Sequence, residues 1–226
     1  MMTAEKLCGC DVNDLKDVLK IRLSKKRYNH SLNVSRSAGE LAEKYGADKE
    51  KARLAGLLHD ICKEIPKEEQ LKMAIACGRD FTVTEQQIPP LYHAAAGAWY
   101  CENVLHIRDD DILNAIRYHT AARAGMSLLE EIIYLADLIS EDRDYKDVGK
   151  MRRIAFTDLK EAMLEAMRFS IGDIAQKGSL IPENSYAAYN YYAGIKREKS
   201  KDERRPSEMP IQTIGEDGRK DTLQKS

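Results

Sequence analysis

Apolar positions recur at three- and four-residue spacing through most of the chain, and no window alternates with period two. That pattern predicts helices and no strands. Leu15, Val18, Leu19 and Leu23 mark a first amphipathic helix with Asp11 as its N-cap. Ser24 caps a second, carrying His30, Val34, Ala38, Leu41 and Ala42 and stopping at Gly46. Asp48 starts a third, in which "DKEKARLAGLLHDICKEI" places Ala52, Ala55, Leu58 and Cys62 on one face. Pro66 opens a short helix through Ala76 that Gly78 ends, and Pro89–Pro90 forces a break. Helical periodicity returns in "HAAAGAWYCENVL", over 109–119, over 127–139, and over about 157–176 up to Gly178. "SYAAYNYYAGIK" is expected to add a final turn or two. Side-chain oxygens at the starts and glycines at the ends satisfy the backbone groups a helix leaves unpaired. The small residues Ala94–Ala96 and Ala121–Ala122 suit close helix packing, so the fold class is an all-α bundle.

The character changes at Lys196. "KREKSKDERRPSEMPIQTIGEDGRKDTLQKS" is charged and lacks aromatics, so it buries too little apolar area to offset its chain entropy. Residues 1–195 are expected to form one domain and 196–226 a disordered charged tail. The chain has 226 residues, 43% hydrophobic, with 36 basic against 37 acidic side chains. A charge of −1 gives no electrostatic reason to expect nucleic acid or a membrane surface as partner. No apolar run reaches the roughly 18 residues of a membrane span, and no signal-peptide core is evident, so a cytoplasmic location is expected. Cys62, Cys77 and Cys101 lie among apolar neighbours as small core residues, and Cys8–Cys10 is a lone C-x-C with too few ligands for a metal site.

The candidate chemistry lies in the histidines. There are five, and four of them (His30, His59, His93 and His119) fall in or at the ends of apolar helices. His59 stands beside Asp60, and Asp137 lies inside "IIYLADLI" with no adjacent cation. Desolvating an unpaired carboxylate is expensive. One such histidine is ordinarily a satisfied core or surface residue, but four with two buried carboxylates require a common partner, which a metal ion supplies. His106, in "VLHIRDDD", reads as a helix-end residue and is assigned no chemistry.

The arrangement H…HD…D on an all-helical chain resembles the HD-domain metal-dependent phosphohydrolases. "RYNHSLNV", "ARLAGLLHDICKEIP", "YHAAAGAWY", "AIRYHTAARAGMSLLEEIIYLADLISEDRDY" and "GSLIPENSYAAYN" resemble in order the YqeK family of symmetrical diadenosine-tetraphosphate hydrolases, from about Arg27 to Asn190. The resemblance implies iron, as one or two ions that manganese or cobalt can replace, held by His30, His59, Asp60 and Asp137. It implies catalytic roles for Asp60, His93 and His119. The substrate would be a dinucleoside polyphosphate, cut by metal-activated water to two ADP. The implied substrate-binding residues are Arg27, Lys63, His93, His119, Thr120, Arg143 and the run Ile181, Pro182, Glu183, Asn184, Ser185, Tyr186. Two departures stand in the last motif: Ser185 replaces the family's threonine and Tyr189 its arginine, so a cation is lost there or an aromatic takes its place. Tyr186, Tyr191 and Tyr192 are read first as packing residues.

Two other readings remain open on the sequence. One is a different HD phosphohydrolase acting on nucleotides or cyclic dinucleotides. The other is a non-catalytic nucleotide-binding module with a structural metal. The cations Arg27, Lys63 and Arg143 beside the ligand motifs favour a polyphosphate. A homodimer is compatible with the sequence and is not specified by it.

Overall fold

The computed structural model describes residues 12–202. Among the described residues there are ten α-helices and no strand. They are α1 (Val12–Arg22), α2 (Lys25–Tyr45), α3 (Lys49–Leu58), α4 (Lys67–Ala76), α5 (Tyr92–Asn103), α6 (Asp110–Tyr118), α7 (Leu128–Ile139), α8 (Val148–Ala155), α9 (Leu159–Gln176) and α10 (Glu183–Asp202). Short 3-10 turns at Glu85–Gln87 and Pro89–Leu91 fill the proline break before α5. Asp11, Cys8, Cys10 and residues 203–226 lie outside the described residues. No described helix is long and apolar enough to cross a membrane.

Local chemistry sets the helix ends. Ser24 accepts a hydrogen bond from the Arg27 backbone and starts α2, while Gly46, at φ 75°, closes it through a bond to Ala42 O. Asp48, Asp109, Ser127 and Asp158 cap α3, α6, α7 and α9 through side-chain oxygens. The 21-residue α2 packs along α3 and α7, α5 lies between α4 and α6, and α10 lies on α9. Leu41, Leu58, Ile61, Ile116 and Ile132 are fully buried where these helices meet.

Two close approaches bring the backbones together behind the histidines. A Cβ on Gly56 would stand 3.0 Å from Ser35 Cα and 3.1 Å from Val34 O, so α3 and α2 touch there almost backbone to backbone. A Cβ on Gly97 would meet Ile116 Cγ2 at 3.3 Å and His59 O at 3.5 Å, which ties α5 to α6 and to the chain after α3.

Four elements depart from the sequence reading. The expected helix across "DICKEI" ends instead at Leu58, and His59–Glu64 form turns. His59 Nδ1 donates to Gly56 O, the carbonyl that a continuing helix would offer to the Asp60 N–H. Arg22 Nε also takes Ile61 O at 3.3 Å. The second departure is α8, which the sequence reading passed over; it buries Met151 and Ala155, one turn apart on one face, and packs chiefly against α9. The third is α10, which runs for 20 residues rather than a turn or two. Fourth, the tail boundary expected at 196 falls inside α10. Ala188 and Tyr192 anchor that helix in the core, and Lys196 and Lys199 pair with Glu161 and Asp158 at 2.6 and 3.1 Å.

A buried ion pair joins the loop before α5 to α6. Arg117 Nη2 donates to Glu85 Oε2 at 2.7 Å and to Asp80 O at 2.8 Å, and Arg117 Nε donates to Arg79 O at 2.9 Å. Neither side chain is more than 1% exposed.

Gly56→Ala tests the backbone contact. The added methyl meets backbone atoms that cannot rotate away, so α2 and α3 must separate. The expected cost is about 1–3 kcal/mol, read as a lower urea midpoint.

Candidate active site

Five segments deliver side chains to one place. His30 comes from α2, His59 and Asp60 from the turn after α3, His93 from the first turn of α5, His119 from the residue following α6, and Asp137 from the last turns of α7. His30, His59, Asp60, His93 and His119 are each at most 4% exposed. The imidazoles stand edge to face in a chain, with centroids 5.3 Å apart for His30–His59, 4.9 Å for His59–His119 and 5.1 Å for His93–His119.

The outer nitrogens explain the inner ones. His59 Nδ1 donates to Gly56 O at 2.7 Å, His93 Nδ1 to Pro90 O at 2.8 Å and His119 Nδ1 to Ile116 O at 2.7 Å. Carbonyls of a helix's last turn lack an intrahelical partner, so a histidine directly after the helix finds one three residues back. In the neutral ring a protonated Nδ1 leaves the lone pair on Nε2. Those Nε2 atoms face two carboxylates. His93 and His119 lie 3.2 and 3.7 Å from Asp60 Oδ1, His59 lies 3.4 Å from Asp60 Oδ2, and His30 lies 2.9 Å from Asp137 Oδ1. The Nε2 atoms of His93 and His119 face one another at 3.2 Å.

This donor set suits a metal ion. Three groups have ligand atoms mutually within 4.8 Å: His30–His59–Asp60, His59–His119–Asp137 and Asp60–His93–His119. His30 Nε2, His59 Nε2 and Asp60 Oδ1 are buried and make no well-formed hydrogen bond within the protein. Imidazole and carboxylate together fit a borderline divalent ion such as iron, manganese, cobalt or zinc.

Charge orders the remainder. Burial works to raise the Asp60 pKa, but His59, His119 and His93 outweigh it and hold the carboxyl well below its ordinary value. Asp137 is likewise lowered against the effect of burial, by His30, His59 and Arg143. Burial opposes a charge on His59, yet Asp60 and Asp137 raise its pKa. For His93 burial prevails over Asp60, and its pKa falls to about 4. Burial also lowers His119 and Lys63.

Three cations ring the acids. Arg27 Nη1 donates to Asp60 Oδ2 at 2.9 Å, and Lys63 Nζ lies 3.1 Å from His93 Nε2 and 3.9 Å from Asp60 Oδ1. Arg143 reaches Asp137 Oδ1 through Nη2, and its Nε donates to Asp137 O at 2.7 Å. Thr120, beside His119, has a buried hydroxyl with no hydrogen-bond partner in the protein.

The 181–186 run flanks this centre. Ser185 donates to Ala121 O at 2.7 Å, so the first turn of α10 sits against the segment that carries His119 and Thr120. Pro182 is buried and Ile181 is 37% exposed. Glu183 accepts hydrogen bonds from the hydroxyls of Thr82 and Thr84, and Asn184 Nδ2 reaches Asp80 O at 3.5 Å. The side chains of Glu183 and Ser185 are thus engaged in tying α10 down. Tyr186 is 62% exposed, whereas Tyr192 is 1% exposed and donates to Glu131, a packing residue as read. His106 is exposed, at φ 56°, and stands in none of the three ligand groups.

Sequence reasoning missed Asp142 and Asn33. Asp142 Oδ2 accepts from His30 Nδ1 at 2.8 Å, and Asn33 Nδ2 donates to Asp142 Oδ1 at 3.1 Å. Asn33 lies one turn after His30 on the same face of α2, which is a sequence signal. Asp142 has no local signal.

A buried histidine and aspartate cluster of this kind, assembled from one helix interior and the ends of its neighbours, defines an HD-domain protein. Residues 27–142 match the HD domain family model, from the first cation of the site to Asp142. The chain is 38% identical over 173 residues to the symmetrical bis(5'-nucleosyl)-tetraphosphatase of Bacillus subtilis, covering 76% of this chain and 92% of that protein. It is 32% identical over 186 residues to the protein of the same name from Staphylococcus aureus, covering 80% and 94%. The crystal structure of a predicted HD superfamily hydrolase involved in NAD metabolism, from Clostridium acetobutylicum, superposes with a TM-score of 0.79 at 38% identity, covering 82% of this chain and 98% of that one. The chain belongs to the symmetrical bis(5'-nucleosyl)-tetraphosphatase family of HD-domain proteins.

The His93 shift has a consequence for stability. Its ring titrates near 6.5 when unfolded and near 4 when folded, so between these values the unfolded chain binds the extra proton. Acid therefore destabilises the chelator-stripped protein as pH falls through that window, until both states are protonated. His93→Gln is expected to flatten this part of the profile, measured by urea unfolding between pH 4.5 and 7.

Proposed function

We infer that the protein hydrolyses diadenosine tetraphosphate and related dinucleoside polyphosphates symmetrically, giving two ADP. The observation that carries this reading is three cations set around a buried His–Asp cluster suited to a metal ion, in a chain that belongs to a family named for this reaction. One water adds across the central P–O–P bridge. Its oxygen bonds to one inner phosphorus, and the bridging oxygen leaves with the other ADP.

His30, His59, Asp60 and Asp137 would hold the metal, which we take to be iron, as one or two ions replaceable by manganese or cobalt. When bound, the metal supplies Lewis acidity that lowers the pKa of water and neutralises phosphate charge. Asp60 Oδ1 lies within 3.7 Å of both His93 Nε2 and His119 Nε2. We assign these three groups to the attacking water, which their acceptor atoms would orient by hydrogen bonding. Arg27, Lys63 and Arg143 bind the polyphosphate, Arg as a bidentate fork and Lys as a point charge. Thr120 donates its unengaged hydroxyl to a phosphate oxygen. Residues Ile181–Tyr186 seat one nucleotide, with the exposed Tyr186 ring beside it and the backbone N–H groups of the first turn of α10 toward its phosphates. Burial of Cys62, Cys77 and Cys101 as small core residues suits a reducing compartment, and we place the activity in the cytoplasm.

Products decide the reaction. Two ADP as the only nucleotide products of diadenosine tetraphosphate is the expected result, and ATP plus AMP overturns the reading. Asp60→Ala is expected to abolish both bound iron and hydrolysis after anaerobic purification; retention of both would show that Asp60 is not a ligand. Arg143→Ala is expected to lower kcat/KM roughly 10- to 100-fold, mainly through KM, the worth of a charge-assisted hydrogen bond. Its metal content should be unchanged, as measured by elemental analysis.

A further inference from the structure

The four site histidines solve one problem in two ways. His59, His93 and His119 each place Nδ1 on a backbone carbonyl three residues earlier. His30 is the sixth residue of α2, a 21-residue helix. Carbonyls in a helix interior already accept from the N–H four residues on. His30 Nδ1 must therefore find an acceptor elsewhere, and Asp142 provides it at 2.8 Å.

Asp142 lies in the link between α7 and α8, five residues beyond Asp137. Its second oxygen is taken by Asn33 of α2 at 3.1 Å, so the carboxylate bridges two residues of one helix face. Arg152 holds the link in place: its Nε donates to Ile139 O at 2.9 Å, and its Nη2 donates to Ser140 O at 2.8 Å and Arg143 O at 3.0 Å. The His30 ring is 4% exposed and the Asp142 side chain 38%, so the partner is reached from the solvent side while Nε2 points inward.

We propose that Asp142, steadied by Asn33, is a positioning residue for metal binding: it fixes the tautomer and orientation of His30 so that Nε2 faces the ion. A carboxylate on the outer nitrogen pulls the Nδ1 proton toward itself and enriches Nε2, which a backbone carbonyl does less strongly. The inference rests on His30 being a ligand, as proposed above.

Cobalt(II) titration of the chelator-stripped, full-length protein tests it, with affinity read by competition against a chromophoric chelator and geometry by the visible ligand-field bands. Asp142→Ala is expected to weaken cobalt binding about 10- to 100-fold and to shift the bands. Asp142→Asn, which keeps an acceptor oxygen but not the charge, is expected to fall between Asp142→Ala and wild type. Glu141→Ala, on the same link, is expected to bind as wild type. Equal urea midpoints for the stripped forms would show that the fold is intact. The proposal is overturned if Asp142→Ala keeps wild-type affinity and bands while His30→Ala loses the ion, or if Glu141→Ala weakens binding as much as Asp142→Ala. If His30→Ala itself binds cobalt normally, the ligand assignment fails instead.

Discussion

The structure depends on one electrostatic arrangement: two carboxylates, Asp60 and Asp137, placed among four imidazoles whose outer nitrogens are already engaged. An ionised carboxylate in such a setting costs several kcal/mol unless compensated. Compensation comes from all sides, with Arg27 on Asp60, Arg143 on Asp137 and ring nitrogens on both. Because Nδ1 of each ring is committed, Nε2 has one direction to face. A mixed nitrogen and oxygen donor set follows from the protonation pattern as much as from residue identity.

Holding that arrangement is a packing problem before it is a chemical one. His30 lies on α2 and His59 directly follows α3, and these helices meet at Gly56, where a single methyl group would force them apart. At Gly97 the tight neighbour is the Ile116 side chain of α6, with His59 O in ordinary contact behind it. The histidines that close α3 and α6 use the spare carbonyls of those helices, so helix termination and ligand orientation are one event.

Much of this was legible in the chain. Ser24, Gly46 and Asp48 announced their helix ends because capping is local chemistry. The six-residue cluster was readable because charged and imidazole groups in apolar helices are costly unless they share a partner. The early end of α3 was not, since "DICKEI" is periodic and only the bonds of His59 and Arg22 stop it. Asp142 and the Glu85–Arg117 pair were not, since each meets its partner across 112 and 32 residues of sequence. α8 escaped because it is short and its start at Asp147 carries no side-chain cap, and the length of α10 because its charged second half is held by pairing with residues of and before α9.

The Arg117 clamp has a mechanical consequence. Arg117 precedes His119 by two residues and grips the 79–85 loop, and that loop holds the start of α10 through Thr82, Thr84 and the Asp80 carbonyl. The end of α6, the loop and the head of α10 are therefore tied into one unit, while the opposite wall, where α2 presents Arg27 and the α7–α8 link presents Arg143, is joined by a separate set of bonds through Asp142 and Arg152.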